Sequence, residues 1–256
     1  NGKAALSFSQ KGKDDITWEK NGNFNAGIDF ELFNHRVTGS LEYYHRKTTD
    51  MLLWFTTPVS IGYTGYYDNV GDMVNKGVEF SISGDIIRKK DFNWNVNFNI
   101  SHNKNKVTYL PDENKIINME GHDGYRNLSN YNFVGEGLPL YTWYMPKYAG
   151  PNSQGQSTWY VTNADGTQST TTTYSQATYY LCGDANPKVY GGFGTSVSAY
   201  GFDLTASFLY SLGGKGIDYG YRALMGSATS SSERGNRHKD LLNAWATDDP
   251  TSPLPP

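Results

Sequence analysis

The tightest constraint on this chain lies in residues 92–101. There Phe92, Trp94, Val96, Phe98 and Ile100 alternate without a break with Asn93, Asn95, Asn97, Asn99 and Ser101. A period of two puts successive side chains on opposite faces of a strand, whereas a helix would scatter both sets around its circumference. Residues 24–32 repeat the pattern, with Phe24, Ala26, Ile28, Phe30 and Leu32 against Asn25, Gly27, Asp29 and Glu31. Residues 78–86 set Val78, Phe80, Ile82 and Ile86 against Glu79, Ser81, Ser83 and Asp85. Segments 37–46, 189–199 and 202–211 complete the set. Each is about ten residues long, where a globular strand averages roughly five or six and a tilted strand crossing a bilayer needs about nine to eleven.

The composition agrees with an all-β fold. Among 256 residues there are 20 Tyr, 12 Phe, 6 Trp and 28 Gly, and aromatic residues favour strands. The single cysteine excludes a disulfide scaffold. With 22 basic and 25 acidic side chains the net charge is -3, which offers no basic surface for phosphates, so no nucleic acid partner is expected. No apolar run reaches the roughly 18 residues a spanning helix needs. Strands therefore either meet lipid directly or belong to a soluble β fold. The start shows no secretion signal, and the proline-rich close at 251–256 cannot extend a strand; both ends are expected to be cut points.

Register arithmetic tests the hairpins, because a one-residue slip would oppose apolar to polar side chains. A two-residue loop Asn34-His35 sets Leu32 against Val37, Phe30 against Gly39, Ile28 against Leu41 and Ala26 against Tyr43. A three-residue loop Arg88-Lys89-Lys90 sets Ile86 against Phe92, Gly84 against Trp94, Ile82 against Val96 and Phe80 against Phe98. A two-residue loop Tyr200-Gly201 sets Ala199 against Phe202, Val197 against Leu204, Phe193 against Phe208 and Gly191 against Tyr210. In each hairpin a glycine gap (Gly39, Gly84, Gly191) faces an aromatic ring that can cover it (Phe30, Trp94, Tyr210).

Strands are therefore expected near 24–33, 36–48, 77–87, 92–107, 188–199 and 202–213, with long loops at 51–72, 108–187 and 214–256. Short turns alternating with long loops are the pattern of outer-membrane barrels. Within 108–187, Leu140 to Tyr148 and Ser157 to Thr162 suggest further strands, crossing the membrane or standing above it. Pro151 to Gly155 and Asn163 to Gly166 read as turns, and Thr167 to Thr173 as a polar low-complexity run. Phe33, Tyr43, Phe92, Trp94, Tyr200 and Phe202 near strand ends fit an interfacial aromatic girdle. A soluble surface β-sandwich, serving as a carbohydrate-binding or adhesin module, would also alternate; strand length and loop asymmetry favour the barrel.

No nucleophile, base and orienting group converge in the sequence, so no catalytic residues and no enzyme activity are expected. The histidines are scattered at 35, 45, 102, 122 and 238. His122-Asp123 beside Asp112-Glu113 matches no strong ligand spacing, so no metal or other cofactor is expected. Cys182 reads as a lone packed thiol, and Asn127-Leu128-Ser129 as a chance sequon. The functional lead is the loop aromatics: Trp54, Tyr63, Tyr66 and Tyr67 in the first long loop, and Trp143, Tyr144 and Trp159 in the second. Such rings stack on sugars or pack on apolar peptide side chains; equally, they fold the loops on themselves.

Several blocks in one order resemble a known family. Ile16-Thr17-Trp18-Glu19-Lys20, Phe24-Asn25-Ala26-Gly27-Ile28-Asp29-Phe30, Tyr43-Tyr44-His45-Arg46-Lys47-Thr48-Thr49-Asp50-Met51-Leu52, Asn69-Val70-Gly71-Asp72-Met73-Val74-Asn75-Lys76-Gly77-Val78-Glu79-Phe80 and Gly183-Asp184-Ala185-Asn186-Pro187-Lys188-Val189-Tyr190-Gly191-Gly192-Phe193 resemble the barrel of SusC/RagA-type TonB-dependent transporters. The resemblance implies an antiparallel up-and-down transmembrane barrel of about 22 strands in the outer membrane of Bacteroidetes. It also implies a plug, energy from the TonB complex, a SusD-like lipoprotein as lid, and a glycan or peptide as cargo. Six strands cannot close such a barrel, and neither plug nor TonB-contacting box has a counterpart here. The chain is thus expected to be an incomplete portion, from the C-terminal half of the barrel.

Overall fold

The computed structural model describes residues 12–56, 59–69, 71–111, 116–117, 120–127, 131–226, 235–247 and 249–254. In chain order the strands are β1 (Lys20–Leu32), β2 (Val37–Thr49), β3 (Leu52–Thr56), β4 (Gly65–Asn69), β5 (Asp72–Arg88), β6 (Phe92–Tyr109), β7 (Ile116–Ile117), β8 (Asp123–Asn127), β9 (Asn132–Gly135), β10 (Thr142–Pro146), β11 (Tyr148–Pro151), β12 (Ser157–Thr162), β13 (Gln168–Thr171), β14 (Tyr179–Asp184), β15 (Val189–Ala199) and β16 (Phe202–Leu212). One short helix, α1 (Tyr219–Leu224), follows.

The main sheet has six antiparallel strands in the order β1-β2-β5-β6-β15-β16. Its register brings the apolar positions into rows that cross every strand. One row runs Phe30, Gly39, Ile82, Phe98, Phe193, Phe208, and the next Ile28, Leu41, Phe80, Ile100, Gly191, Tyr210. Among the described residues no second sheet covers this face: Ile28 is 68% exposed, Phe208 52%, Phe193 49% and Phe98 37%. That corrects the β-sandwich alternative, which needs these side chains enclosed between layers. The buried residues lie elsewhere. Val107, Leu110 and Phe133 are completely buried, joined by Met51, Tyr144, Ala177 and Tyr180, all at the long-loop end. The 28.6 kDa chain exposes 17808 Å², where a soluble monomer of that mass would expose about 11,000 Å².

The β1–β2 and β15–β16 registers are those the alternation predicts. Two turns differ from expectation. Between β1 and β2, Phe33, Asn34 and His35 all take positive φ and the Arg36 N–H donates to the Leu32 carbonyl (3.1 Å). A four-residue turn therefore replaces the Asn34-His35 loop while leaving the ladder unchanged. Between β5 and β6, the Lys89 N–H donates to the Phe92 carbonyl (2.9 Å), tightening the loop to Lys90-Asp91, and a bulge between Asp85 and Ile87 absorbs one residue. Gly84 then faces Val96, Ile82 faces Phe98 and Phe80 faces Ile100. This is a two-position shift from the expected pairs, which keeps residues 78–85 on their faces, while beyond the bulge Ile87 rather than Ile86 lines up with Trp94. Trp94 consequently does not cover Gly84; its indole N–H donates to the Thr195 hydroxyl (2.8 Å).

None of β7 to β14 joins the main sheet, because β6 pairs directly with β15. They form a sheet ordered β14-β10-β9-β8-β7 and a β11-β12-β13 meander, while β3 and β4 make a separate hairpin. The threonine-rich run reads as low complexity in sequence, yet it supplies β13. Trp159 pairs with Thr171 and Thr162 with Gln168, a use that suits β-branched threonine. The turn at 163–166 closes on Asn163 N–H to the Thr167 carbonyl and Gly166 N–H to the Asn163 carbonyl, both 2.9 Å.

Candidate substrate-contacting site

The face opposite the apolar rows is mostly polar, with Leu209 as an exposed apolar exception on the outermost strand. At its long-loop end Asn25, Glu42, Tyr44, Arg46, Asn75, Glu79 and Asn103 line a recess of about 480 Å³. The amides and the phenol form a network. Tyr44 Oη donates to Asn103 Oδ1 (2.9 Å), Asn105 Nδ2 donates to Asn75 Oδ1 (2.8 Å), and Asn105 Oδ1 accepts from the Leu140 N–H (2.7 Å), which ties the inserted loops to the sheet. Gly77 makes room for the Tyr44 ring, since a β-carbon there would strike it. Glu42 stands directly opposite Glu79, so the recess is acidic apart from Arg46. Further from the loops, Asn95 Nδ2 donates to Asp85 Oδ1 (2.9 Å), and the Ser40 and Ser81 hydroxyls meet at 2.8 Å. Asn75, Asn95, Asn99, Asn103 and Asn105 each have a partner on a neighbouring strand, which fixes the shape of this part of the water-facing surface.

Above the sheet the loop aromatics divide into separate groups. Trp54 on β3 and Tyr67 on β4 meet edge to face at 5.0 Å, with 37% and 48% of their surfaces exposed. Tyr66 lies on the same hairpin, and Tyr63 on the turn before β4. The second group is a run of rings: Phe133 to Tyr144 at 5.1 Å, Tyr144 to Tyr179 at 5.3 Å, Tyr179 to Tyr174 at 6.4 Å, Tyr174 to Trp159 at 5.3 Å and Trp159 to Tyr148 at 6.4 Å. The Arg126 guanidinium sits 5.0 Å from the Tyr179 ring centre, and the Lys147 ammonium 4.4 Å from that of Tyr180. Burial pushes the phenols of Tyr144 and Tyr174 above the usual tyrosine range, so both stay neutral at physiological pH.

The expected site residues thus have different surroundings. Tyr144 is 6% exposed and wedged between Phe133 and Tyr179, which makes it part of the packing beneath the loops. Trp143 is anchored by its indole N–H to the Lys215 carbonyl (2.8 Å). Trp159 is half-buried between Tyr148 and Tyr174. Tyr148, Tyr174, Tyr179 and Arg126 share this cluster and carry no local mark in the sequence, because β8, β11, β14 and the turn at 174–176 bring them together from distant positions.

Among the described residues the polar groups weighed for chemistry do not assemble. Among the described residues no three His, Cys, Asp or Glu side chains come together as a metal set. His122 Nδ1 lies 3.2 Å from the Glu136 carbonyl; Asp112, Glu113, Leu128 and Ser129 lie outside the described residues. Cys182 is half-buried with Sγ 3.3 Å from the Tyr180 carbonyl.

Known proteins share this arrangement. Residues 4–218 match the family described as TonB dependent receptor-like, β-barrel. The chain is 28% identical over 252 residues to TonB-dependent receptor P3 of Formosa agariphila, covering 94% of this chain and 24% of the relative. It is 40% identical over 98 residues to TonB-dependent receptor SusC of Bacteroides thetaiotaomicron, covering 38% of this chain and 10% of SusC. The solved structure of the RagAB peptide transporter superposes with a TM-score of 0.78 at 32% identity, over 98% of this chain and 27% of that one. This chain therefore spans about a quarter of the length of the relatives that it matches throughout. A six-stranded sheet with an open apolar face and a networked polar one is an incomplete barrel, and the chain belongs to the TonB-dependent receptor β-barrel family, with SusC and RagA among its relatives.

Proposed function

We propose that this chain is part of the barrel of an outer-membrane nutrient importer that takes up peptides or oligosaccharides. It acts with a SusD-like lipoprotein as lid and with the TonB complex through segments outside this stretch. The observation that carries the reading is the division of the main sheet into two solvents. Phe30, Ile82, Phe98, Phe193 and Phe208 stand in one uncovered row, while Asn, Ser and acidic side chains fill the reverse face. The first suits acyl chains and the second a wet passage. In this reading 51–72, 108–187 and 214–256 are extracellular, and cargo is bound and passed inward without covalent chemistry.

Cargo contact falls to Trp54, Tyr63, Tyr66 and Tyr67 on the first loop and to Trp143 and Trp159 on the second, with Tyr144 supporting them from beneath. The exposed rings of Trp54 and Tyr67 are the leading contacts, since a ring surface open to water is what a sugar or an apolar peptide side chain can cover. The test is saturable uptake of labelled oligopeptide and oligosaccharide libraries by cells carrying the full-length protein and its partner. We expect uptake of one class, with half-saturation raised about tenfold by Trp54→Ala plus Tyr67→Ala at unchanged outer-membrane abundance, as loss of two stacking rings implies. Uptake of neither class, or recovery of the protein in the soluble fraction, would overturn the reading.

A further inference from the structure

Toward the long-loop end the outward face of the main sheet changes from apolar to basic. Beyond the row Ala26, Tyr43, Val78, His102, the next is Phe24, His45, Lys76, Lys104, and the one after is Gly22, Lys47, Val74, Lys106. Lys76 therefore stands directly opposite Lys104 on one side and His45 on the other, with Lys47 and Lys106 at the diagonals. All four lysines are exposed. Among the described residues Lys47 has an acidic neighbour, Asp72 at 3.3 Å, while Lys76, Lys104 and Lys106 have none within ion-pair distance. Like charges directly opposed across strands destabilise a sheet, so this cluster calls for an anion from outside the chain.

Its height identifies the anion's source. From Phe92 to His102 β6 advances ten residues, about 33 Å along a strand; tilted by about 40°, that covers roughly 25 Å, the height of a lipid-facing band. Lys104 then stands where acyl chains give way to headgroups, and lysine stems can lie along Val78 and Ile100 while the ammonium groups reach the interface. The geometry points to a site for a phosphorylated headgroup of an outer-leaflet lipid, gripped by Lys76, Lys104 and Lys106 with His45 and Lys47 at its margin. A free phosphate would gain nothing from the apolar rows that lead up to the cluster, whereas a lipid's chains would lie on them. This inference rests on the membrane-spanning reading above.

The full-length protein, reconstituted in nanodiscs of phosphatidylcholine with or without lipid A, is compared with its Lys76→Gln, Lys104→Gln, Lys106→Gln triple variant and with the corresponding triple Arg variant. Lipid A retained through detergent exchange is counted by native mass spectrometry. The wild type and the Arg variant should retain it, and the Gln variant should lose affinity about a hundredfold, as three surface lysines facing an anionic layer imply. Dephosphorylated lipid A should bind no better to the wild type than to the Gln variant. Equal retention by wild type and Gln variant would overturn the headgroup site and leave the membrane reading standing. Displacement of lipid A from the wild type by inorganic phosphate alone would overturn it in favour of a free anion. A wild type that enters neither disc would overturn both readings.

Discussion

Gly191 shows how single residues set the outward surface. A β-carbon there would strike the Asn99 carbonyl and the Tyr210 hydroxyl; instead Tyr210 Oη donates to the Asn99 carbonyl (2.8 Å), and its ring lies nearly parallel to that of Phe98, 13° apart with centres at 6.2 Å. The glycine lets one aromatic ring bridge β16 and β6 across β15. Gly191→Val should therefore lower stability by about 1–3 kcal/mol, the usual cost of forcing extra methyls into a packed site. Gly22→Ala, where the nearest atom to a new β-carbon is the Lys47 carbonyl at 3.9 Å, should change little. Thermal unfolding of the full-length protein in detergent measures both. The pairings Gly191–Tyr210 and Gly39–Phe30 were legible in the sequence because the alternation and a short turn fix the register. Gly84–Trp94 was not, because the tighter turn and the bulge beyond Asp85 together shift the partner by two positions, which leaves Gly84 on its expected face.

Elements carry the same lesson. The β1–β2 and β15–β16 hairpins follow from local sequence in register, and β5–β6 follows as a pairing but not in register, since neighbouring segments can pair in few ways that match faces. The junction of β6 with β15 joins Ile100 to Gly191 and Trp94 to Val197 across the whole 110–188 insertion, and no local signal predicts it. The small sheets of that insertion were partly legible: aromatic stretches marked β10 and β12, whereas β13 was hidden in a threonine run whose ordering comes from β12. The loop aromatics were visible as residues but not as clusters, because ring-to-ring contact depends on these long-range pairings. The two-solvent account of β15 gives a sharp contrast. Phe193→Arg puts a charge in the lipid-facing band and should cost about 2–4 kcal/mol, while Ser196→Arg on the polar face should cost far less. Urea titration of folding into liposomes separates these outcomes; equal losses would count against the assignment of faces.

For the whole molecule, surface and interior are inverted relative to a water-soluble protein. The packed residues, Val107, Leu110 and Phe133, sit at the long-loop end, while the sheet leaves its large apolar side chains open. β1 and β16 each have one unpaired edge among the described residues, as expected of a stretch covering 27% of the RagAB chain it matches. A closed barrel removes such edges, so stability belongs to the complete barrel in its membrane. The most direct test places single nitroxide labels at positions 93 to 100 of β6, in full-length protein lacking Cys182 and embedded in a bilayer. Collision rates with dissolved oxygen, which concentrates in lipid, and with a water-soluble nickel complex are then read at each position. The account predicts a period of two, with oxygen favoured at 94, 96, 98 and 100 and nickel relatively favoured at 93, 95, 97 and 99. Labels at 96 and 98 shielded from both probes would contradict it.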